Sequence, residues 1–215
     1  LPKSFENLTN LTELYLSSNQ LTTLPKSFEN LTNLTELDLG ANRLSSLPNW
    51  IGNLSNLTTL YLGENELSSL PDSLGNLTNL TTLNLQKNQL TELPESFGNL
   101  TNLTFLDLQD YQLFDFSILF ATSDISEILS SPNASSHQVS ELPESLRNLT
   151  NLKTLYLGDN GLSELPDWIG NLSNLTELGL NSNQLTTLPK SFENLTNLTE
   201  LWLYDNKLSS LPNWI

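Results

Sequence analysis

The chain has 215 residues and a formal net charge of −16, because 24 Asp and Glu residues face only 8 Lys and Arg residues. A negative field of this size repels phosphate backbones and anionic lipid surfaces, so it argues against nucleic acid and membrane partners and favours a basic polypeptide. Cysteine is absent, which excludes a disulfide framework and a cysteine-ligated zinc site.

A leucine pattern repeats along nearly the whole chain. Prolines that follow a leucine recur every 23 residues on either side of one interruption: Pro25, Pro48, Pro71 and Pro94, then Pro143, Pro166, Pro189 and Pro212. This period, with leucines at L-x-x-L-x-L-x-x-N-x-L, is typical of a solenoid in which each unit supplies one short strand. One unit cannot bury its leucines, whereas stacked units can, so we predict a single repeat domain over residues 1–215.

Eight segments alternate leucine with polar residues and are predicted as half-buried strands. A constant step between strands allows only a parallel sheet, which we expect on the concave face. The segments are Leu11–Leu16, Leu34–Leu39, Leu57–Leu62, Leu80–Leu85, Leu103–Leu108, Leu152–Leu157, Leu175–Leu180 and Leu198–Leu203.

An asparagine follows each regular strand, and its amide can both donate and accept hydrogen bonds. Stacked copies are predicted to form a buried, satisfied ladder at Asn19, Asn42, Asn65, Asn88, Asn160, Asn183 and Asn206. The L-x-x-L-P segment then turns the chain, since proline fixes φ and supplies no donor. The following P-x-S-F-x-N-L stretch is expected to cross the convex side as a short helical or 3-10 turn with one apolar core residue.

The pattern fails between Asp110 and Glu141, where Pro94 to Pro143 spans 49 residues, or two periods plus three. Alignment backwards from the next repeat gives a ninth strand slot at Leu129–Ala134, but Pro132 would remove one of its ladder hydrogen bonds. The stretch is either a damaged repeat or an island that projects from the solenoid and shapes a binding site. The predicted division is regular repeats over 1–110, an irregular island or degenerate repeat over 111–141, and regular repeats over 142–215.

The 23-residue unit LxxLxLxxNxLxxLPxxfxNLxN resembles the leucine-rich repeats of the intracellular Ras-group type, which also occur in the repeat arms of Roco GTPases and in many bacterial proteins. The resemblance covers essentially the whole chain apart from the interruption. It implies an α/β solenoid: a right-handed horseshoe with a parallel concave β-sheet and short helical or 3-10 turns on the convex side, interrupted by one irregular repeat. Since the chain begins at Leu1 and stops at Ile215 in mid-repeat, we expect an excerpt of a longer chain.

Signals for chemistry are weak. His137 is the only histidine and lies in the irregular stretch, and neither a P-loop nor a G-x-G-x-x-G motif is present. The carboxylates lack the spacing of a calcium loop. We therefore predict no catalysis, no cofactor and no metal. Absence of cysteine favours a cytoplasmic location, with the cell surface or secretion left open because the first residue is not Met.

Outward-facing positions on the sheet carry the functional signal. Neighbouring strands lie about 4.8 Å apart, so these side chains form columns across the concave face. Large aromatic side chains at these positions do not pack in the core, and with carboxylates around them they suit an interface with a basic partner. Alternatively, they stabilise the sheet by contacts between neighbouring strands. The predicted anchors are Tyr15, Tyr61, Phe105, Tyr156 and Trp202. The predicted negative field comes from Glu13, Glu36, Asp38, Asp107, Glu177 and Glu200.

The sequence thus predicts a non-enzymatic module that binds a protein or peptide with a basic surface on its concave face. One alternative is the repeat sensing arm of a larger receptor or GTPase. Another is a passive structural or designed scaffold, because copies are unusually alike: LPKSFENLTNLTEL occurs at Leu1, Leu24 and Leu188. The oligomeric state is left open.

Overall fold

A computed structural model describes residues 7–110 and 139–212, which form one parallel sheet of eight strands in chain order. Consecutive regular strands pair 23 residues apart, as in Glu13 opposite Glu36. The strands are β1 (Glu13–Tyr15), β2 (Glu36–Asp38), β3 (Thr59–Tyr61), β4 (Thr82–Asn84), β5 (Phe105–Asp107), β6 (Thr154–Tyr156), β7 (Glu177–Gly179) and β8 (Glu200–Trp202). The open sheet confirms the predicted solenoid horseshoe.

Each strand is three residues long, shorter than the six-residue segment that predicts it. Hydrogen bonding nevertheless continues past the strand ends, since the Leu39 amide donates to the carbonyl oxygen of Tyr61 at 2.9 Å. In β2 the central Leu37 and the flanking Leu34 and Leu39 are fully buried, whereas the corresponding leucines of β1 and β8 are partly buried. Burial of one such side chain stabilises the fold by roughly 1.5–3 kcal/mol.

The side opposite the sheet consists of short 3-10 turns, as predicted. Each follows a proline in extended conformation, and the proline carbonyl accepts the first hydrogen bond of the turn, for example Ile51 N–H to Pro48 O at 3.0 Å. The third residue of every described turn is buried in the core beneath the sheet. The turns are Lys26–Asn30, Asn49–Asn53, Asp72–Asn76, Glu95–Asn99, Glu144–Asn148, Asp167–Asn171 and Lys190–Asn194.

The predicted asparagine ladder is present behind the strands. The Asn65 side-chain oxygen accepts from the Leu44 amide at 3.0 Å, and its nitrogen donates to the carbonyls of Leu39 and Leu62, both at 3.0 Å. Asn65 therefore satisfies backbone groups of two successive repeats at a buried position, where an unpaired group would cost about 1–3 kcal/mol. Equivalent bonds are made by Asn42, Asn88, Asn160, Asn183 and Asn206. Asn19, at the first described strand, is exposed, and its side-chain nitrogen donates to the Leu16 and Ser17 carbonyls of its own turn.

The strands on either side of the interruption are direct neighbours in the sheet. β5 pairs directly with β6, where Phe105 lies opposite Thr154, 49 residues later. Val139 takes the place of the leucine that follows a ladder asparagine, because its amide donates to the side-chain oxygen of Asn160 at 3.1 Å. Residues 111–138 thus join two positions that Asn42 and Arg43 alone join in a regular repeat. A damaged repeat that supplied its own strand would separate β5 from β6 in the sheet. The predicted strand Leu129–Ala134 itself lies outside the described residues.

Candidate functional site

The parallel register arranges the outward side chains in two columns. The first residues of the strands form one column: Glu13, Glu36, Thr59, Thr82, Phe105, Thr154, Glu177 and Glu200. The third residues form the other: Tyr15, Asp38, Tyr61, Asn84, Asp107, Tyr156, Gly179 and Trp202. The central leucines point to the opposite side because successive side chains of a strand alternate between faces. All the predicted site residues therefore lie on one face of the sheet.

Three of the predicted aromatic anchors form a contiguous patch on β5, β6 and β8. The rings of Phe105 and Tyr156 meet edge to face, with centroids 5.8 Å apart and planes at 88°. Those of Tyr156 and Trp202 have centroids 5.3 Å apart and planes at 45°. All three side chains are half-buried, so part of each ring faces solvent.

Gly179 makes the contact between Tyr156 and Trp202 possible. These two residues belong to strands on either side of β7, about 9–10 Å apart along the sheet. A Cβ atom on Gly179 would lie 3.1 Å from Tyr156 Cδ1 and 3.3 Å from Trp202 Cε3, closer than ordinary contact. The sequence analysis did not assign a role to Gly179. The feature that could have indicated one is a glycine between two large aromatic residues in the column of third strand residues.

Tyr15 and Tyr61 do not join this aromatic patch. They lie on β1 and β3 with Asp38 between them, and in the described part of the chain neither ring contacts another aromatic ring. Tyr15 is 56% exposed, and its hydroxyl donates to Glu13 Oε2 at 3.0 Å. That hydrogen bond raises the pKa of Tyr15 to about 12. The predicted anchors thus fall into a contiguous group of three and a separated pair.

The predicted carboxylates differ in exposure. Glu13 and Glu200 are exposed, whereas Glu36, Asp38 and Glu177 are half-buried. The Tyr156 hydroxyl donates to Glu177 Oε2 at 2.5 Å. Burial and this hydrogen bond together raise the pKa of Tyr156, so the phenol stays a neutral donor.

Asp107 departs from the expectation of an outward negative charge, because only 7% of it is exposed. Its Oδ1 accepts from the Gln109 amide at 3.0 Å, and Asn84 Nδ2 approaches Oδ2 at 3.5 Å. Burial raises the pKa of Asp107 to about 6, although the bond from Gln109 acts in the opposite direction. Because a pKa of about 6 leaves the carboxyl mostly ionised at pH 7, Asp107 still contributes negative charge to this face, but from a buried position.

A depression of about 370 Å³ adjoins the Tyr61 side of the face and was not predicted. It is lined by Ser17, Asp38, Gly40, Ala41, Tyr61, Gly63, Glu64, Asn84 and Gln86. Gly40 and Gly63 lie two residues beyond the ends of β2 and β3, and a Cβ atom on Gly63 would lie 2.6 Å from Asn84 Oδ1. Within residues 7–110 and 139–212, no group of three or more His, Asp or Glu side chains is placed to hold a metal ion. No helix in those ranges is long and apolar enough to cross a membrane.

Comparison with known proteins identifies the repeat. The family model for the leucine rich repeat matches residues 2–44, 33–90 and 55–113, and that for a leucine-rich repeat region matches residues 133–215. A leucine-rich repeat protein of Leptospira interrogans has a similar structure, with 35% identity, a TM-score of 0.84, and coverage of 100% of this chain and 48% of that one. No curated protein matches the sequence.

Two receptors also have similar structures. A TDR receptor is 28% identical, with a TM-score of 0.74 over 96% of this chain and 32% of its own. The plant peptide hormone receptor RGFR1, in complex with RGF2, is 29% identical, with a TM-score of 0.70 over 96% of this chain and 34% of its own. This chain therefore spans less than half of the length of each of these three structures. The fold is one commonly used for protein–protein interaction.

Proposed function

The chain belongs to the leucine-rich repeat family, and on that premise we propose that it is a non-catalytic module that binds a protein or peptide with a basic surface on its concave face. The observation that carries this proposal is the aromatic patch of Phe105, Tyr156 and Trp202. The patch lies outside the core, and half-exposed aromatic side chains of this kind are enriched at interfaces. Burial of such anchors supplies much of the binding energy in protein complexes.

Electrostatics favours a basic partner. Neither of the two outward columns contains Lys or Arg, whereas Glu and Asp occupy six of their positions. The ion pairs of the described residues lie elsewhere: Lys26–Glu29 and Arg147–Glu144 within 3-10 turns, and Lys87–Glu64 beyond the strand ends. The negative charge of the carboxylates on the concave face is therefore not neutralised by these ion pairs and can attract a partner. Such a field speeds association with basic surfaces and weakens with salt.

Similarity to receptors supports a peptide or protein ligand. One of the similar structures is a peptide hormone receptor in complex with RGF2. A second candidate function is the repeat sensing arm of a larger receptor, and the structural similarity to two receptors favours it. Both candidates assign ligand recognition to the sheet.

The test is affinity capture from a native extract at low and moderate salt. The parent chain is compared with a variant that carries Tyr15→Ala, Tyr61→Ala, Tyr156→Ala and Trp202→Ala. A control variant replaces Asn53, Asn76, Asn99 and Asn171 by Ala at exposed ends of convex turns. Circular dichroism establishes that all three chains are folded.

We expect a protein that the parent and the control retain, that the tyrosine–tryptophan variant loses, and that moderate salt releases. Equal capture by all three chains, or capture insensitive to salt, would contradict concave recognition of a basic partner. Unfolding of the tyrosine–tryptophan variant would assign these side chains to sheet stability instead.

A further inference from the structure

We propose that Tyr156, Trp202, Glu177 and Glu200 form a site for one guanidinium group, supplied by an arginine side chain of the partner. This inference rests on the proposed function and specifies the chemistry of its ligand. It follows from the way β6, β7 and β8 bring two aromatic faces and two carboxylates together on the outward side of the sheet.

The aromatic part of the site is a surface formed by two rings. Tyr156 and Trp202 touch across Gly179, with ring centroids 5.3 Å apart. Phe105 packs edge to face on the other side of Tyr156 and limits the positions its ring can take. A cation above the face of a tryptophan or tyrosine ring is attracted by the negative potential of the π system.

The anionic part of the site is positioned by the aromatic part. The Tyr156 hydroxyl donates to Glu177 Oε2 at 2.5 Å, which places this carboxylate beside the ring that carries the hydroxyl. A carboxylate has about four acceptor positions on its two oxygens, so Glu177 can still accept from a ligand. Glu200 is the neighbour of Glu177 in the same column, and it is exposed. Among the described residues, neither carboxylate forms an ion pair within the chain.

Arginine fits this arrangement better than lysine. A guanidinium group is planar and weakly hydrated, so it can stack on an aromatic ring while its edge donates two parallel hydrogen bonds to a carboxylate. An ammonium group is compact and strongly hydrated, and it cannot make both contacts in this way.

The chain contains its own comparison site at β1, β2 and β3. Tyr15 and Tyr61 have the same two-strand separation as Tyr156 and Trp202, and Glu36 corresponds to Glu177. Asp38 stands where the other site has Gly179, so a side chain separates the two rings. Thr59 corresponds to Glu200, so the comparison site lacks both the continuous aromatic surface and the second glutamate.

The experiment titrates the full chain with three blocked tripeptides and follows the side-chain NMR signals of Trp202 and Tyr156. The probes are acetyl-Gly-Arg-Gly-amide, its lysine analogue and its citrulline analogue, which keeps the shape of arginine without the charge. Signals of Tyr15 and Tyr61 report on the comparison site. The variants Glu177→Gln and, as a matched control, Glu36→Gln are titrated in the same way.

We expect saturable shifts at Trp202 and Tyr156 with the arginine probe, weaker binding of the lysine probe and no saturable shift with the citrulline probe. Glu177→Gln weakens arginine binding by roughly three- to thirty-fold, the range expected for loss of one charge-assisted contact, while Glu36→Gln leaves it unchanged. Equal responses to arginine and citrulline, or equal responses at the two sites, would overturn the inference. Saturable shifts at Trp202 and Tyr156 on titration with a neutral hexose, without such shifts from the arginine probe, would also overturn the inference.

The two levels of the proposal fail separately. Concave capture of a protein that does not require Glu177, with no response to the arginine probe, would overturn the guanidinium site and leave the proposed function intact. An arginine response at Trp202 without any concave capture would contradict the proposed function as tested and leave the chemistry of the site in place.

Discussion

At the scale of single residues, the position of Asp107 in the third-residue column matters for stability. Asn84 and Tyr156 flank it in the strand register, and only 7% of Asp107 is exposed. Removal from water disfavours the charged carboxylate, and the amide of Gln109 compensates only in part. The folded protein therefore binds a proton at Asp107 more tightly than the unfolded chain does.

Replacement of Asp107 by Asn is expected to stabilise the protein at neutral pH. The pKa rises from 3.8 to about 6 on folding, so the cost of the ionised group is absent below pH about 4 and complete above pH about 6. The difference corresponds to about 3 kcal/mol, an upper value because Asn retains an acceptor for Gln109 but also brings a new amide group. Urea unfolding of both chains at pH 4 and pH 8 measures it. Equal stability of the two chains at pH 8 would contradict this account.

At the scale of elements, neighbouring convex turns fit together through complementary residues. Where the fourth residue of a turn is glycine, the second residue of the next turn is serine: Gly52 and Ser73, Gly75 and Ser96, Gly98 and Ser145, Gly170 and Ser191. A Cβ atom on Gly75 would lie 2.4 Å from the carbonyl oxygen of Ser96, so these turns approach as closely as glycine allows. The serine hydroxyls are buried and have no hydrogen-bond partner, which indicates that serine is present for its small size.

Larger residues change this contact. Glu29, Arg147 and Glu193 replace the glycine in three described turns, and after Glu29 and Arg147 the next turn carries Trp50 or Trp168 in place of serine. The Trp50 ring packs edge to face on Phe28, with centroids 6.4 Å apart. A side chain at the glycine position holds the turns apart, and the indole fills the space. In the sequence, Glu6 takes the glycine position of the first turn although the next turn carries Ser27, which departs from this pattern. Glu6 lies outside the described residues.

Gly75→Ala is expected to destabilise the protein by about 1–3 kcal/mol, because the added methyl group would displace the backbone of the next turn. The shift in the midpoint of urea unfolding measures this effect. Gly40→Ala is the matched control, since its Cβ atom would lie 3.2 Å from Asp38 Oδ1, a side-chain atom that can move, and 3.5 Å from the carbonyl oxygen of Gly63, which is an ordinary contact distance. Equal midpoints for the two variants would argue against close turn packing as the reason for glycine.

At the scale of the whole molecule, the solenoid is continuous through the interruption. The sheet and the buried leucines run from β1 to β8, and β5 meets β6 in regular register. Among the described residues, no side chain takes the ladder position between Asn88 and Asn160. A small cavity of about 10 Å³, lined in part by Leu90 and Val139, lies at this point.

Replacement of residues 111–138 by Asn-Arg is expected to give a folded and more stable chain. The new asparagine would accept from the Leu90 amide, as Asn65 accepts from Leu44, and the shorter connection loses less entropy on folding. We expect a gain of about 1–3 kcal/mol in urea unfolding. A Gly-Arg replacement serves as control, because it closes the connection without the ladder amide.

Loss of folded structure in both shortened chains would contradict the direct pairing of β5 with β6. If both fold but capture no partner, the binding determinants lie in 111–138, as the island interpretation predicts. Retained capture places them on the sheet.

The repeat pattern alone was enough to predict the solenoid, its eight strands, the convex turns and the asparagine ladder. Prediction is reliable for these features because each repeat contacts its neighbours in the same way, so one unit contains the information for all. The alternation within LTELYL similarly placed Tyr15, Tyr156 and Trp202 on the outward face. These conclusions depend on spacing along the chain and on no single distant contact.

Only the tertiary structure decided which strand follows β5, how deeply Asp107 is buried and which aromatic rings meet. Each of these depends on residues brought together from different repeats: Phe105 meets Thr154 across an irregular stretch, and Tyr156 reaches Trp202 because Gly179 has no side chain. A periodic sequence assigns the same environment to every copy of a position. The physical differences between copies arise from the neighbours that folding places around them.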